Sequence, residues 1–296
     1  MFVSWLVFSL FATGSGGSFT KPDWPQTRAE RTNYAETSHY SDVIEFIEGL
    51  QKEGAPVGLQ YIGTSTDGKR MPLMFASRPP VTSAAQARKL GKPIVYVQAN
   101  IHAGEVEGKE AILHLVRRYC QEKKGMLDKI VLVVNPIYNI DGNEKFGPQN
   151  RNRPGQDGPE MVGVRANGQG LDLNRDHIKA ETPEFNAALK FVYNAWDPDV
   201  MMDLHTTDGT RHGYGLTYAP PLNPTTEDGV EFYARDVMMT AIRRGLRAKF
   251  GMETFDYGNA EKRGETTAWY EVGPEGRYST NYVGLRNRIG ILSEAL

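Results

Sequence analysis

Four short apolar runs punctuate the chain, at residues 93–99, 130–134, 200–204 and 289–292. Runs of this length, bounded by polar or turn residues, read as buried strands. Elsewhere the period is helical. Residues 41–52 carry Val43, Ile44, Phe46, Ile47 and Leu50 behind a Ser-Asp cap signal, and residues 108–122 place Ala111, Ile112, Leu115, Val116 and Tyr119 on one face. Residues 183–196 and 229–250 repeat the pattern, the latter with Phe232, Val237, Met238, Ala241, Ile242 and Leu246. Residues 57–62 and 71–76 flank Ser65-Thr66-Asp67-Gly68, whose Asp-Gly step signals a β-hairpin. Three stretches, 78–87, 139–170 and 206–227, are polar without period, and polar loops as long as the last two are usually functional. Strands alternating with helices predict an α/β three-layer sandwich, a mixed and mostly parallel sheet flanked by helices, with no internal repeat or interdomain linker.

Composition narrows the partners. Basic and acidic residues nearly balance, 34 against 36 for a net charge of -2, with no block of either sign, so neither nucleic acid nor an anionic membrane is indicated. Cys120 is the only cysteine, which excludes an internal disulfide, and it falls on the helix at 108–122. Residues 2–12 are apolar and are followed by small residues, the pattern of a signal peptide over residues 1–14. The run is too short to span a bilayer. The expectation is an exported protein, periplasmic or extracellular, whose mature chain starts near Ser15.

The candidate chemistry lies where strands end. Asn100-Ile101-His102-Ala103-Gly104-Glu105 follows the run at 93–99, and ligands collect at the carboxyl ends of strands in open α/β sheets. The run at 200–204 is followed by His205. Two imidazoles and a carboxylate are the protein ligands of a catalytic zinc, with one position left for water. Asp203, two residues before His205, projects to the same side and is a candidate to orient its imidazole. His39, His114, His177 and His212 read as structural or exposed.

Further motifs follow in order: Asn150-Arg151-Asn152-Arg153-Pro154, then Leu171-Asp172-Leu173-Asn174-Arg175-Asp176, and finally Gly290-Ile291-Leu292-Ser293-Glu294. With His102, Glu105 and His205 they make residues 41–296 resemble the zinc metallocarboxypeptidase family, the carboxypeptidase A-like enzymes. The resemblance implies one Zn2+ per chain on His102, Glu105 and His205, with Glu294 as general base and acid. Arg153, chosen over Arg151, would face the charge developing on the carbonyl oxygen. Arg175 with Asn174 would clamp the free carboxylate of a peptide or protein C-terminus. A tyrosine would cap the substrate, for which Tyr270 has the family spacing and Tyr278 and Tyr282 are alternatives.

The family domain continues past the last strand into a further helix, so residues 15–296 read as a single catalytic domain truncated at its C-terminal end. The reading is a C-terminal exopeptidase. Its competitors are a zinc deacylase of small N-acyl amino acids on the same fold and a catalytically inactive zinc-binding domain. A serine hydrolase lacks its G-x-S-x-G elbow and an H-E-x-x-H endopeptidase lacks its motif. Residues 273–282 would form the specificity pocket, where Arg277 is a candidate to select acidic side chains.

Overall fold

The computed structural model describes residues 24–208 and 213–296; the run assigned to a signal peptide, and His212, lie outside the described residues. Apart from a two-residue pair, Gly147–Pro148 with Met161–Val162, the strands are β1 (Val57–Thr64), β2 (Arg70–Ala76), β3 (Ile94–Ala99), β4 (Val131–Asn135), β5 (Val200–Thr206), β6 (Leu216–Ala219), β7 (Phe255–Asp256), β8 (Gly258–Arg263), β9 (Thr266–Glu271) and β10 (Ile289–Ala295). Eight of them form one sheet in the order β1-β2-β4-β3-β5-β10-β6-β7, while β8 and β9 pair as a separate hairpin. Strands β4, β3, β5 and β10 run parallel, and β1, β2 and β6 join antiparallel. Every residue of β3 and β4 is buried, which explains why those segments read as unbroken apolar runs rather than alternating ones.

Helices cover both faces. α1 (Tyr40–Lys52) packs on β1 and on α2 (Glu107–Gln121), which crosses β3 and β5. On the other face lies α3, Pro183–Ala187 continued as a π-helix over Ala188–Trp196, whose Tyr193 meets Tyr96 of β3 edge-on at 6.0 Å. α4 comprises Asp228–Phe232, a π-helical Tyr233–Met239 and Thr240–Phe250, and α5 (Ser279–Leu285) lies on β10 and β5. Tyr282 of α5 packs against Tyr193 and Phe185 of α3, each with ring centroids 5.4 Å apart. The three-layer, mostly parallel sandwich read from the alternation of periods is therefore present. Among the described residues no helix is long and apolar enough to cross a membrane.

Local details differ from the pattern. α1 is capped at His39, whose N–H donates to the Asp42 carboxylate at 2.9 Å, so Asp42 rather than Ser41 carries the cap. The polar stretch 78–87 leads into a short helix, Ala84–Lys89, and 139–170 holds the buried turn of helix Ile140–Glu144. β6 lies inside the stretch 206–227, four residues too few to show a period. β10 runs to Ala295, pairing Glu294 with His205 of β5 on one side and with Thr217 of β6 on the other. Glu294 thus sits within a strand hydrogen-bonded on both edges.

Candidate active site

The site begins where β3 stops. Asn100 adopts φ 63°, a left-handed conformation that asparagine tolerates better than most residues, and its amide donates to the carbonyls of Ala103 and Glu105. The Glu105 N–H closes the turn on the His102 carbonyl at 2.9 Å, which brings the two side chains to one side. Gly104 has a packing reason as well. A Cβ there would stand 3.1 Å from the Gly163 carbonyl oxygen and 3.2 Å from Arg153 Cβ, so the arginine-bearing loop closes directly over the turn.

His102, Glu105 and His205 converge. One ligand atom from each lies within 4.8 Å of the others, and all three residues are buried. His102 Nδ1 is 2.9 Å from one Glu105 oxygen and His205 Nδ1 is 2.8 Å from the other. The far nitrogens face carboxylates too: His102 Nε2 stands 3.0 Å from Asp172 Oδ1, and His205 Nε2 stands 3.1 Å from Asp203 Oδ2 without hydrogen-bonding geometry. Two imidazoles presenting the same nitrogen to one carboxylate, each backed by a second carboxylate, fit the donor set and supporting shell of a catalytic zinc.

The charges around this cluster oppose one another. Burial alone would raise the Glu105 carboxyl, but His102 and His205 hold it well below the usual carboxylate range. Burial likewise disfavours a charged His205, and Asp203 and Glu105 on either side overcome it, pushing the imidazole well above its ordinary value. Glu294, 5% exposed, goes the other way: burial raises its carboxyl well above the usual range, and the pull of His205 and Arg153, partly countered by the negative Glu105 and Asp203, does not offset it.

Of the two arginines weighed for the carbonyl oxygen, only Arg153 reaches the cluster. One of its terminal nitrogens donates to the carbonyls of Thr206 and Thr207, at 2.6 and 2.5 Å, and lies 3.1 Å from Glu105. Arg151 is exposed and bonds only its neighbour Asn152 among the described contacts. Asn174 and Arg175 sit on a 3-10 turn capped by Asp172. The Arg175 guanidinium lies 4.6 Å above the Tyr278 ring and no closer than 3.9 Å to Asp172, so a tight surface ion pair does not consume it.

His102, Glu105, His205, Arg153, Asn174, Arg175 and Glu294 line one cleft of about 370 Å³. Tyr270 does not line it. It lies on β9, paired with Asn259, and its neighbours Asn259 and Glu271 are in the lining, as are Tyr257 and Tyr278. Tyr282 is engaged in the aromatic packing of α3 and α5. Tyr257 hydrogen-bonds Glu294, and burial together with that carboxylate raises its phenol above the ordinary range. Arg277 is likewise outside the lining, half exposed and next to Glu275 and the Tyr278 hydroxyl.

Three residues escaped the sequence reading. Asp172 orients His102, and its position two residues before Asn174 was the available signal. Arg165 stands 2.9 Å from Asp172 and 3.6 Å from Glu105, and nothing set it apart in an arginine-rich polar stretch. Tyr257 follows the two-residue strand Phe255–Asp256, which has no sequence signature. His39 stacks on Phe146, and His177 is buried among aromatic rings, in line with their structural assignment.

The zinc carboxypeptidase family model, Peptidase_M14, matches residues 43–283. The human carboxypeptidase N catalytic chain is 29% identical over 146 residues, which cover 46% of this chain and 30% of that one. Human carboxypeptidase Z is 28% identical over 146 residues, covering 46% and 21%. Among solved structures, a metallo-carboxypeptidase from Burkholderia cenocepacia superposes with a TM-score of 0.64 at 17% identity, over 88% of this chain and 61% of its own. One from Pseudomonas aeruginosa, in complex with (2-guanidinoethylmercapto)succinic acid, gives 0.58 at 20% identity, over 88% and 60%. The match therefore spans less than a third of those human chains and about three fifths of those bacterial ones, and the structural likeness speaks to the fold.

Proposed function

The chain belongs to the zinc carboxypeptidase family, and from that premise we propose that it is a zinc-dependent exopeptidase releasing the C-terminal residue of peptides or proteins. One observation carries the reading: Asn174 and Arg175 line the same cleft as the His102, Glu105 and His205 cluster and Glu294. Zinc held by that cluster supplies a Lewis acid for the scissile carbonyl and lowers the pKa of water. The remaining work falls to this chain's residues. Arg175 and the Asn174 amide bind the substrate's terminal carboxylate and so fix which bond is cleaved. Glu294, whose carboxyl is raised above the usual range by burial, takes a proton from water and returns it to the leaving amine. Arg153 faces the carbonyl oxygen as it gains charge. Of the three tyrosines considered for closing over the substrate, Tyr278 has the supporting position. The proposal includes export, which N-terminal sequencing of the secreted protein tests: a mature start far from Ser15 would sink it.

The deciding experiment compares each peptide as free acid and as amide. An amide leaves the guanidinium facing a neutral group in a partly desolvated site, and discrimination built on unpaired polar groups reaches about 10⁴. Single C-terminal residues should be released, free acids should be strongly preferred, and Arg175→Ala should erase the preference with zinc content unchanged. Equal cleavage of acid and amide by the unmutated protein, or internal fragments as first products, overturns the exopeptidase reading.

A further inference from the structure

Ser279 touches both halves of the site without lining the cleft. It is the first residue of α5 and is 1% exposed. Its hydroxyl donates to Asp203 Oδ2, the same oxygen that stands 3.1 Å from His205 Nε2. Its backbone N–H donates to Asn174 Oδ1 at 2.9 Å. The first amides of a helix have no partner within the helix, so the Asn174 side chain satisfies one of them. With its oxygen committed there, the Asn174 amide has only its NH2 donors left to offer a carboxylate.

Asp203 is wholly buried, and its other oxygen has no hydrogen-bond partner among the described residues. A buried carboxylate needs hydrogen bonds to stay charged and in place. The Ser279 hydroxyl is the donor that holds Asp203 where it can orient His205. We propose that Ser279 is a positioning residue that locks two parts of the site to one point, orienting the metal ligand His205 through Asp203 and the substrate amide of Asn174 through its own backbone. The second half rests on the exopeptidase reading; the first does not.

The two links can be cut separately. Ser279→Ala removes the hydroxyl and keeps the N–H. Losing the partner of a metal-ligating imidazole costs about 10–100-fold in metal affinity, so Zn2+ affinity, read by competition with a chelator, should fall by that factor. The free-acid preference should stay within about threefold of the unmutated protein, on the same reasoning that the Asn174 bond survives. Ser279→Thr, which keeps the hydroxyl, should restore the affinity. Ser279→Pro removes the N–H as well. Proline suits the first position of a helix, and Tyr278 before it already has the extended φ -83°, ψ 142° that a pre-proline residue adopts. This variant should lose at least about tenfold of the acid-over-amide preference in addition, given the discrimination such polar contacts carry.

Unchanged Zn2+ affinity in Ser279→Ala, or equal losses in the Ala and Thr variants, overturns the hydroxyl link. Full acid preference in Ser279→Pro overturns the backbone link. If Ser279→Ala does not unfold cooperatively, Asp203→Asn tests the same bond at constant size, and unchanged Zn2+ affinity there is equally fatal. Chelator competition needs no substrate, so a failure of the exopeptidase reading would show only as absent acid preference in the unmutated protein.

Discussion

The turn after β3 and the end of β10 each present a glutamate to the cleft, and the two carboxyls are driven in opposite directions. Glu105 is 3% exposed and Glu294 is 5% exposed, so burial does not separate them. Their neighbours do. Glu105 has an imidazole on each oxygen, with Arg153 at 3.1 Å and Arg165 at 3.6 Å. Glu294 also faces His205 and Arg153, but the negative Glu105 and Asp203 counter much of their pull and its partner Tyr257 brings no charge, so burial prevails. One region is thereby suited to holding a cation and the other to exchanging a proton. Environments that push paired carboxyls apart are how a single fold assigns such roles.

The largest effects come from exchanging the charge at each region in turn. Glu294→Gln should keep zinc and lose turnover by about 10²–10⁴, the usual worth of a general acid–base group. Glu105→Gln should lose zinc itself, by more than the roughly 10–100-fold that losing a ligand's supporting partner costs. Equilibrium dialysis and peptide turnover on both variants check the contrast. A Glu294→Gln protein with normal turnover would mean that another carboxylate takes the proton.

His177 isolates burial from neighbours. Both ring nitrogens are buried without a hydrogen-bond partner among the described residues, and its ring packs at 4.6 Å from Phe185 and 5.8 Å from Tyr282. Burial lowers its pKa to about 4, with Asp203 and Asp176 opposing. As pH falls from 6.5 the unfolded chain takes up this proton and the folded protein does not until about pH 4. The unfolded state then binds more protons, so stability is lost on acidification through that window, by at most about 3 kcal/mol. His177→Phe should remove this share of the loss, measured by urea unfolding at pH 7 and pH 4.5. An unchanged pH slope would show that the imidazole is charged or solvated in the folded protein.

The smallest expected effect is at the outer edge of the metal region. Asp172→Asn exchanges the carboxylate beside His102 Nε2 for an amide and should weaken zinc by about 10–100-fold. Chelator competition reads it directly, and no change would mean that the His102 tautomer is set by Glu105 alone.

How far these regions were legible depends on how locally each is built. His102 and Glu105 share one turn, and Asp203 and His205 alternate on one strand, so spacing alone states which side chains meet. The apolar runs of β3, β4 and β5 were equally plain, because strands buried on both faces have no polar positions to interrupt them. Glu294 needed more. A strand's face is written in its residues, but its register against β5, which sets Glu294 beside His205, is a property of the assembled sheet.

What tertiary structure alone decided lies in the irregular segments. Arg153 rather than Arg151 enters the cluster because the loop closes over Gly104. Asp172 meets His102 across 70 residues, and Ser279 meets Asn174 across 105. Tyr257 and Tyr278 line the cleft, while Tyr270, which has the expected spacing, is not in its lining. Sequence determined the long central strands, the helical faces and the grouping of His102, Glu105 and His205, since a repeating backbone turns spacing into direction. It could not determine which loop residues meet, since in a segment without period direction comes from the surfaces it packs against.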